Sequence, residues 1–256
     1  MYNNLLLHIP HSSTYIPEEM KDLFVIDRKE LDRELLVMTD RYTDELFDFA
    51  ENRIVFPFSR LICDVERFRD RTQETMTEKG MWICYERTSG KTPLKDITPE
   101  HTSYVLESCY DPHHKQFTDA ATGIRDTAGS VMIIDCHSFS SRSLPYEDDR
   151  DPDRPDICIG TDGFHTPPSV ITALRNAFTE MGYSVKLNSP YSGCIVPMDF
   201  WIKDPSVKSV MIEVNRSTYM DEATGRKLKC FNTVRRHIEE AVYRCTESFM
   251  YETKTA

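Results

Sequence analysis

Short apolar runs alternate along the chain with longer stretches whose apolar residues recur at helical spacing. That alternation predicts an α/β fold rather than separate helical and strand regions. The short runs read as strands over Leu5–Ile9 and residues 53–56, 61–65 and 81–85. Residues 131–135 read as the central strand, and residues 156–160, 184–187 and 207–214 complete the sheet. Leu31, Leu35, Met38, Tyr42, Leu46 and Phe49 place a helix over residues 28–51. Thr98-Pro99-Glu100 is a helix start with proline at the first helical position, and that helix extends to about Thr122, with a kink or an interruption at Pro112. Residues 167–181 form a further helix ended by Gly182, and residues 221–249 close the chain as a long helix with an acid near its start. The expectation is one α/β domain over residues 1–256, with a central mixed β-sheet flanked by helices.

Two apolar runs break abruptly into histidine and serine. One ends in Ile9-Pro10-His11-Ser12, the other in Asp135-Cys136-His137-Ser138. Ligands and catalytic groups collect at the carboxyl ends of buried strands in α/β domains. A histidine with an acid two residues before it suits a metal ligand oriented by a carboxylate. A lone histidine in such a place also reads as a surface or capping residue. A catalytic zinc site needs a third protein ligand, and Asp40, inside the first helix, is the candidate acid. An ordinary solvated carboxylate is the other reading of Asp40. Glu213 interrupts the apolar run 210–214. A half-buried carboxylate is costly unless paired, which suits either a general base of raised pKa or a structural partner of an arginine. Arg216 follows on the same rim and could bind a carboxylate. Arg60 and Arg67 surround another short run, Tyr110-Asp111-Pro112-His113-His114 carries a histidine pair, and Asn188 to Gly193 is a turn rich in hydroxyl and amide donors. The polar loop 143–155 follows His137 and reads as a lid or as a solvated surface loop.

Composition narrows the setting. Of 256 residues, 39% are hydrophobic and 29% charged, enough for a soluble protein with a real core. The net charge of −11 argues against a nucleic-acid partner, which needs a basic surface. No apolar run is long enough to span a membrane, and the amino terminus lacks the basic region of a signal peptide. The expected location is the cytoplasm. The eight cysteines show no Cys-x-x-Cys spacing, so they are expected to be reduced and mostly buried.

Taken in order, the segments resemble the N-formylglutamate amidohydrolase family. The resemblance rests on Pro10-His11-Ser12-Ser13, Thr39-Asp40 with Leu46-Phe47, Ser59-Arg60 with Asp64-Val65-Glu66-Arg67, and Pro112-His113-His114. It continues through Asp135 to Ser138, Asp156 to Gly160, Asn188 to Cys194 and Glu213 to Met220. Ser13, Glu66 and Cys194 depart from the family pattern, where glycine, asparagine and glycine are common.

The resemblance implies a zinc-carboxypeptidase-like fold and a zinc-dependent amidohydrolase. It would cleave the amide of a small anionic N-acyl amino acid, and the family substrate N-formylglutamate would give formate and glutamate. One Zn²⁺ per chain is expected on His11, Asp40 and His137. The His-x-x-Glu glutamate of the fold's relatives is missing here, where Thr14 stands. Glu213 is expected as the general base, and Arg60 or His114 as the oxyanion donor. Arg67 and Arg216 are expected to hold the substrate carboxylates, with Asn188, Tyr191 and Ser138 completing the binding site. Two alternatives remain. One is a metal-free binding module on the same scaffold. The other is a zinc hydrolase acting on a different N-acyl or peptide substrate.

Overall fold

In this computed structural model, which describes residues 3–255, the sheet is built around strands that are apolar on both faces. The first strand, β1 (Leu5–Ile9), is buried at every position. Helix α1 (Arg28–Met38) starts at Asp27, whose side chain accepts from the Glu30 amide in a reciprocal capping box. A single turn, α2 (Thr43–Leu46), and strand β2 (Arg53–Val55) follow. Next come α3 (Pro99–Val105), α4 (Asp111–Ala128), β3 (Val131–Phe139), β4 (Ile157–Gly160), α5 (Pro168–Glu180), β5 (Val185–Leu187) and β6 (Val207–Asn215). A small hairpin of β7 (Met220–Asp221) and β8 (Arg226–Lys227) precedes α6 (Phe231–Thr255). The main sheet has six strands in the order β2-β1-β3-β6-β4-β5. The first four run parallel, while β4 lies antiparallel to β6 and parallel to β5, so the sheet is mixed as expected.

Four expectations need correction. The helix over 28–51 is interrupted, because Tyr42 adopts a left-handed backbone (φ 70°) and the Asp40 amide bonds the His11 carbonyl at 2.9 Å instead of continuing the helix. Asp40 therefore lies just past α1, not inside a helix. Residues 61–65 and 81–85 are not strands of the sheet. They are buried turns whose apolar side chains fill two separate core clusters, and only an isolated bridge joins Met81 to Tyr85. An apolar run signals burial, and here burial comes without a ladder. The last helix starts at Phe231, since Asp221 caps a turn by accepting from the amides of Ala223 and Thr224. At Pro112 the α-helix is interrupted as expected: the π-helical turn Leu106–Tyr110 separates α3 from α4, and Pro112 sits in the first turn of α4.

Strand alternation decides which residues share a face. On one face, Leu5, Leu7, Met132, Ile134, Ile212 and Val214 pack against Leu174 and Phe178 of α5 and Ile238 and Val242 of α6. Each such buried side chain contributes roughly 1.5–3 kcal/mol. On the other face, Leu6, Val131, Ile133 and Val207 meet Phe117 and Ala121 of α4. Farther along these strands the same face turns polar: Leu6 gives way to His8, Ile133 to Asp135 and His137, and Val207 to Ser209 and Glu213. That polar half of the sheet face is where the functional groups gather. Among the described residues, no helix is long and apolar enough to cross a membrane, and the eight cysteines are free thiols.

Candidate active site

A cavity of about 1150 Å³ opens over the polar half of the sheet face. His137 on β3 lies opposite Glu213 on β6 in the parallel register, so both side chains reach the same floor. His11 follows β1, and Asp40 is drawn toward it by the backbone bond noted above. His11 Nδ1 lies 3.7 Å from Asp40 Oδ2, and His137 Nδ1 lies 3.2 Å from the same oxygen. The three ligand atoms lie within 4.8 Å of one another.

The opposite nitrogen of each ring is held by a carboxylate. His11 Nε2 bonds Asp64 Oδ1 at 2.9 Å, and His137 Nε2 bonds Asp135 Oδ1 at 3.0 Å. This leaves His11 Nδ1 buried with no hydrogen-bond partner. Two imidazoles presenting Nδ1 to one carboxylate oxygen, each anchored through Nε2, fit a cation held by His11, Asp40 and His137.

Charge around the cluster is organised in layers. Asp64 is wholly buried; burial alone would raise its pKa, but Arg67, Arg60 and His11 hold it well below the usual carboxylate range. Asp40 is likewise held low against burial, by His11, His137 and Arg216. Burial works against a charged His137, yet Asp135 and then Asp40 outweigh it and keep the ring well above its ordinary value. Burial pushes Glu213 up to about 8, and its Oε2 has no hydrogen-bond partner. A buried acid of raised pKa beside a candidate metal cluster suits proton transfer.

Most of the other expected residues line the cavity, in differing circumstances. Arg216 donates to Asp40 Oδ1 at 2.8 Å and to Ser138 Oγ at 3.1 Å, and its Nη1 bonds the Val37 carbonyl. Its guanidinium is thus committed to orienting Asp40, and Ser138 is committed to Arg216. Arg60 and Arg67 both reach Asp64 Oδ2, at 2.9 and 3.3 Å, and both retain a buried Nε without a partner. His114 donates Nε2–H to the Val65 carbonyl at 2.9 Å. Tyr191 donates to Glu147 Oε1 at 2.6 Å. Asn188 is not brought to the cavity: it is exposed, and its amide exchanges two bonds with Thr161, at 2.8 and 2.9 Å. The neighbouring segment does approach, because Gly160 leaves room: a Cβ there would lie 2.3 Å from the Gly193 carbonyl oxygen.

The loop 143–155 lies against the site, with Leu144, Tyr146, Glu147, Asp148 and Asp149 lining the cavity. A buried ion pair between Arg154 and Glu147 closes the loop on itself, and the loop is tied to the site by Tyr191 donating to Glu147 Oε1 at 2.6 Å and by Arg154 donating to the Ser140 carbonyl at 2.9 Å. Sequence reasoning did not single out His8, Glu66 or Asp64 as site residues. For His8 the signal was available, since it shares its strand face with Leu6 and stands three residues before His11.

Histidines and buried acids gathered at the carboxyl edge of parallel strands fit an enzyme active site in an α/β fold. The family follows from comparison. A family model described as N-formylglutamate amidohydrolase matches residues 3–220, and the chain belongs to that family. N-formylglutamate deformylase of Pseudomonas putida is 25% identical over 229 residues, spanning 85% of this chain and 82% of its own length. The crystal structure of N-formylglutamate amidohydrolase from Ralstonia eutropha JMP134 matches with a TM-score of 0.80 at 22% identity, over 95% of this chain and 93% of that one. A gene product of Agrobacterium tumefaciens matches with a TM-score of 0.60 at 16% identity, over 94% and 90% of the two chains. These two structures bear on the fold.

Proposed function

We propose that the chain, as one domain, is a metal-dependent amidohydrolase that cleaves N-formylglutamate or a close N-acyl amino acid to a carboxylate and a free amino acid. The observation that carries this reading is the pair of imidazoles presenting Nδ1 to Asp40, each tied through Nε2 to its own carboxylate. His11, Asp40 and His137 would hold one Zn²⁺ per chain. Zinc there would supply Lewis-acid polarisation of the scissile carbonyl and lower the pKa of water. Glu213 takes the proton from the attacking water at its free Oε2 and delivers it to the leaving nitrogen, so the carbonyl carbon gains the oxygen and the amine leaves neutral. Arg60, whose Nη1 lies 3.9 Å from Asp40 Oδ1, is placed to donate to the developing oxyanion. Arg67 supplies positive charge for a substrate carboxylate. Arg216 acts through Asp40, as a positioning residue.

A broader acyl specificity is favoured by one further observation. The cavity is larger than a molecule the size of N-formylglutamate requires, and Phe68, Met198 and Trp201 line it. The deciding experiment assays zinc-loaded protein with N-formylglutamate, N-acetylglutamate and N-acyl amino acids bearing apolar acyl groups, following release of the free amine. Turnover of at least one, lost on chelation and restored by zinc, is expected. No turnover of any N-acyl amino acid by protein that carries zinc overturns the proposal.

A further inference from the structure

Beside the first cluster lies another set of donor atoms that the proposed chemistry does not use. His8 Nδ1 stands 3.1 Å from Asp135 Oδ1 and 3.3 Å from Glu66 Oε1, and the three ligand atoms lie within 4.8 Å of one another. His8 and Asp135 project from the same sheet face as paired residues of β1 and β3. Glu66 follows the buried turn after Cys63, with its amide fixed to Asp64 Oδ1 at 3.0 Å.

The arrangement is poorly satisfied by the protein alone. Two carboxylates converge on one imidazole nitrogen, which carries at most one proton. Asp135 takes that hydrogen bond, while Glu66 Oε1, although buried, accepts none. Two carboxylates this close repel unless a positive charge stands between them. Among the described residues, no arginine or lysine comes within ion-pair distance of either one, and His137, 3.0 Å from Asp135 Oδ1 and 3.8 Å from Glu66 Oε2, offers one positive charge for the two. The imidazole itself is held rigidly. It stacks on Phe117 with ring centroids 4.5 Å apart, and its Nε2 lies 2.9 Å from His113 Nε2. A cation on Nδ1 places the ring proton on Nε2, where His113 can accept it. Glu66 and Asp135 line the cavity, so an ion can reach them from solvent.

We propose that His8, Glu66 and Asp135 form a second divalent-cation site, separate from the His11, Asp40 and His137 set. One imidazole and two carboxylates select a first-row transition ion over Mg²⁺ or Ca²⁺, and they make this site harder than the first. Asp135 connects the two sites. Its Oδ1 also receives His137 Nε2 at 3.0 Å, so the carboxylate that ligates the second ion orients a ligand of the first. Occupancy at either site therefore changes affinity at the other, reciprocally. The site assignment rests on its own geometry, whereas the coupling rests on the first site being a cation site.

Equilibrium dialysis against Zn²⁺ or Co²⁺, with elemental analysis of the protein, tests the proposal. Wild type is expected to hold two ions per chain. Glu66→Leu, which removes both oxygens from a side chain at the cavity wall, is expected to hold one. His8→Phe, which preserves stacking on Phe117, is expected to match it, and circular dichroism reports whether each variant folds. His11→Ala is expected to retain one ion, bound at the second site. A single ion in wild type that persists in folded Glu66→Leu and disappears in His11→Ala overturns the second site and leaves the first standing. A single ion lost in Glu66→Leu and kept in His11→Ala supports the second site and overturns the ligand set of the proposed function. Two ions retained in folded Glu66→Leu also overturn the assignment.

Discussion

Replacing Glu213 by glutamine should raise stability and lower activity at once. In the metal-free protein, burial lifts the Glu213 carboxyl to about 8, against an ordinary value of 4.5. Between those values the folded state holds a proton that the unfolded chain releases. The stability linked to this proton is fully present below about pH 4.5 and is lost as pH rises through about 8. By pH 7 the loss amounts to on the order of 3 kcal/mol, from about 1.4 kcal/mol per pH unit across the interval. Glutamine keeps the shape and does not titrate. Metal-free Glu213→Gln should therefore gain on wild type as pH rises from about 4.5 to 7, by up to about 3 kcal/mol. Urea unfolding midpoints in chelator at the two pH values measure this. In the zinc-loaded enzyme the variant cannot accept the water proton, so kcat should fall about 10²–10⁴-fold with zinc content and KM retained. A glutamine variant that gains no stability over this range and turns over near the wild-type rate would refute both halves, and would mark Glu213 as an ionised structural residue.

The remaining predictions concern the metal, the arginines and the loop. Chelation should abolish activity, and His137→Ala should lose zinc while remaining folded; stoichiometric zinc at the His11 set in that variant would contradict the ligand assignment. Arg67→Met should mainly raise KM for a carboxylate substrate, whereas Arg216→Met should weaken zinc binding about 10–100-fold through Asp40; equal kcat/KM for a carboxylate substrate and its amide analogue would argue against the Arg67 clamp. Zinc binding near neutral pH should release at least one proton, because Asp135 keeps His137 protonated well above its ordinary value; calorimetry in two buffers of different ionisation enthalpy would show no buffer dependence if this is wrong. Arg154→Met should loosen the loop 143–155 by removing its internal pair with Glu147 and its bond to the Ser140 carbonyl, and lower kcat/KM, read against an unchanged zinc content.

Much of the fold was legible because burial and periodicity agree in it. The strands β1, β3 and β6 are apolar on both faces, as strands covered by helices should be, and the α5 pattern ends at Gly182 as capping chemistry requires. The errors came where burial and regular structure part company. Residues 61–65 and 81–85 are as apolar as strands, yet they are turns packed into two separate core clusters. Residues 28–51 keep a helical stripe across a break because the chain on either side of Tyr42 is still buried. At the site, the strand-end histidines and Glu213 could be found from single interruptions in apolar runs. His8 carried a similar signal, a polar residue inside an apolar run, but nothing local names its partners across the sheet. The pairing of Asp64 with His11 depends on a turn whose path no local pattern predicts.

The distribution of buried charge gives physical support for a cation at this site. Asp64 and Asp40 are each compensated by arginine, through Arg60, Arg67 and Arg216. Asp135 is compensated by His137, held protonated beside it, but Glu66 and Glu213 have no such partner: among the described residues, no arginine or lysine lies within ion-pair distance of either. Two further buried carboxylates, ionised and unpaired, would cost more than a domain's net stability tolerates. Without metal, protons take up the charge. His137 is held protonated, while burial, and for Glu66 also Asp135, raises the pKa values of Glu66 and Glu213. A divalent ion can replace those protons. The two forms should then respond oppositely to pH. The metal-free fold weakens as pH rises and its carboxyls ionise, while the loaded fold strengthens, because the same deprotonation creates the ligands and the base. An enzyme arranged this way acquires its working ionisation state when it acquires its metal.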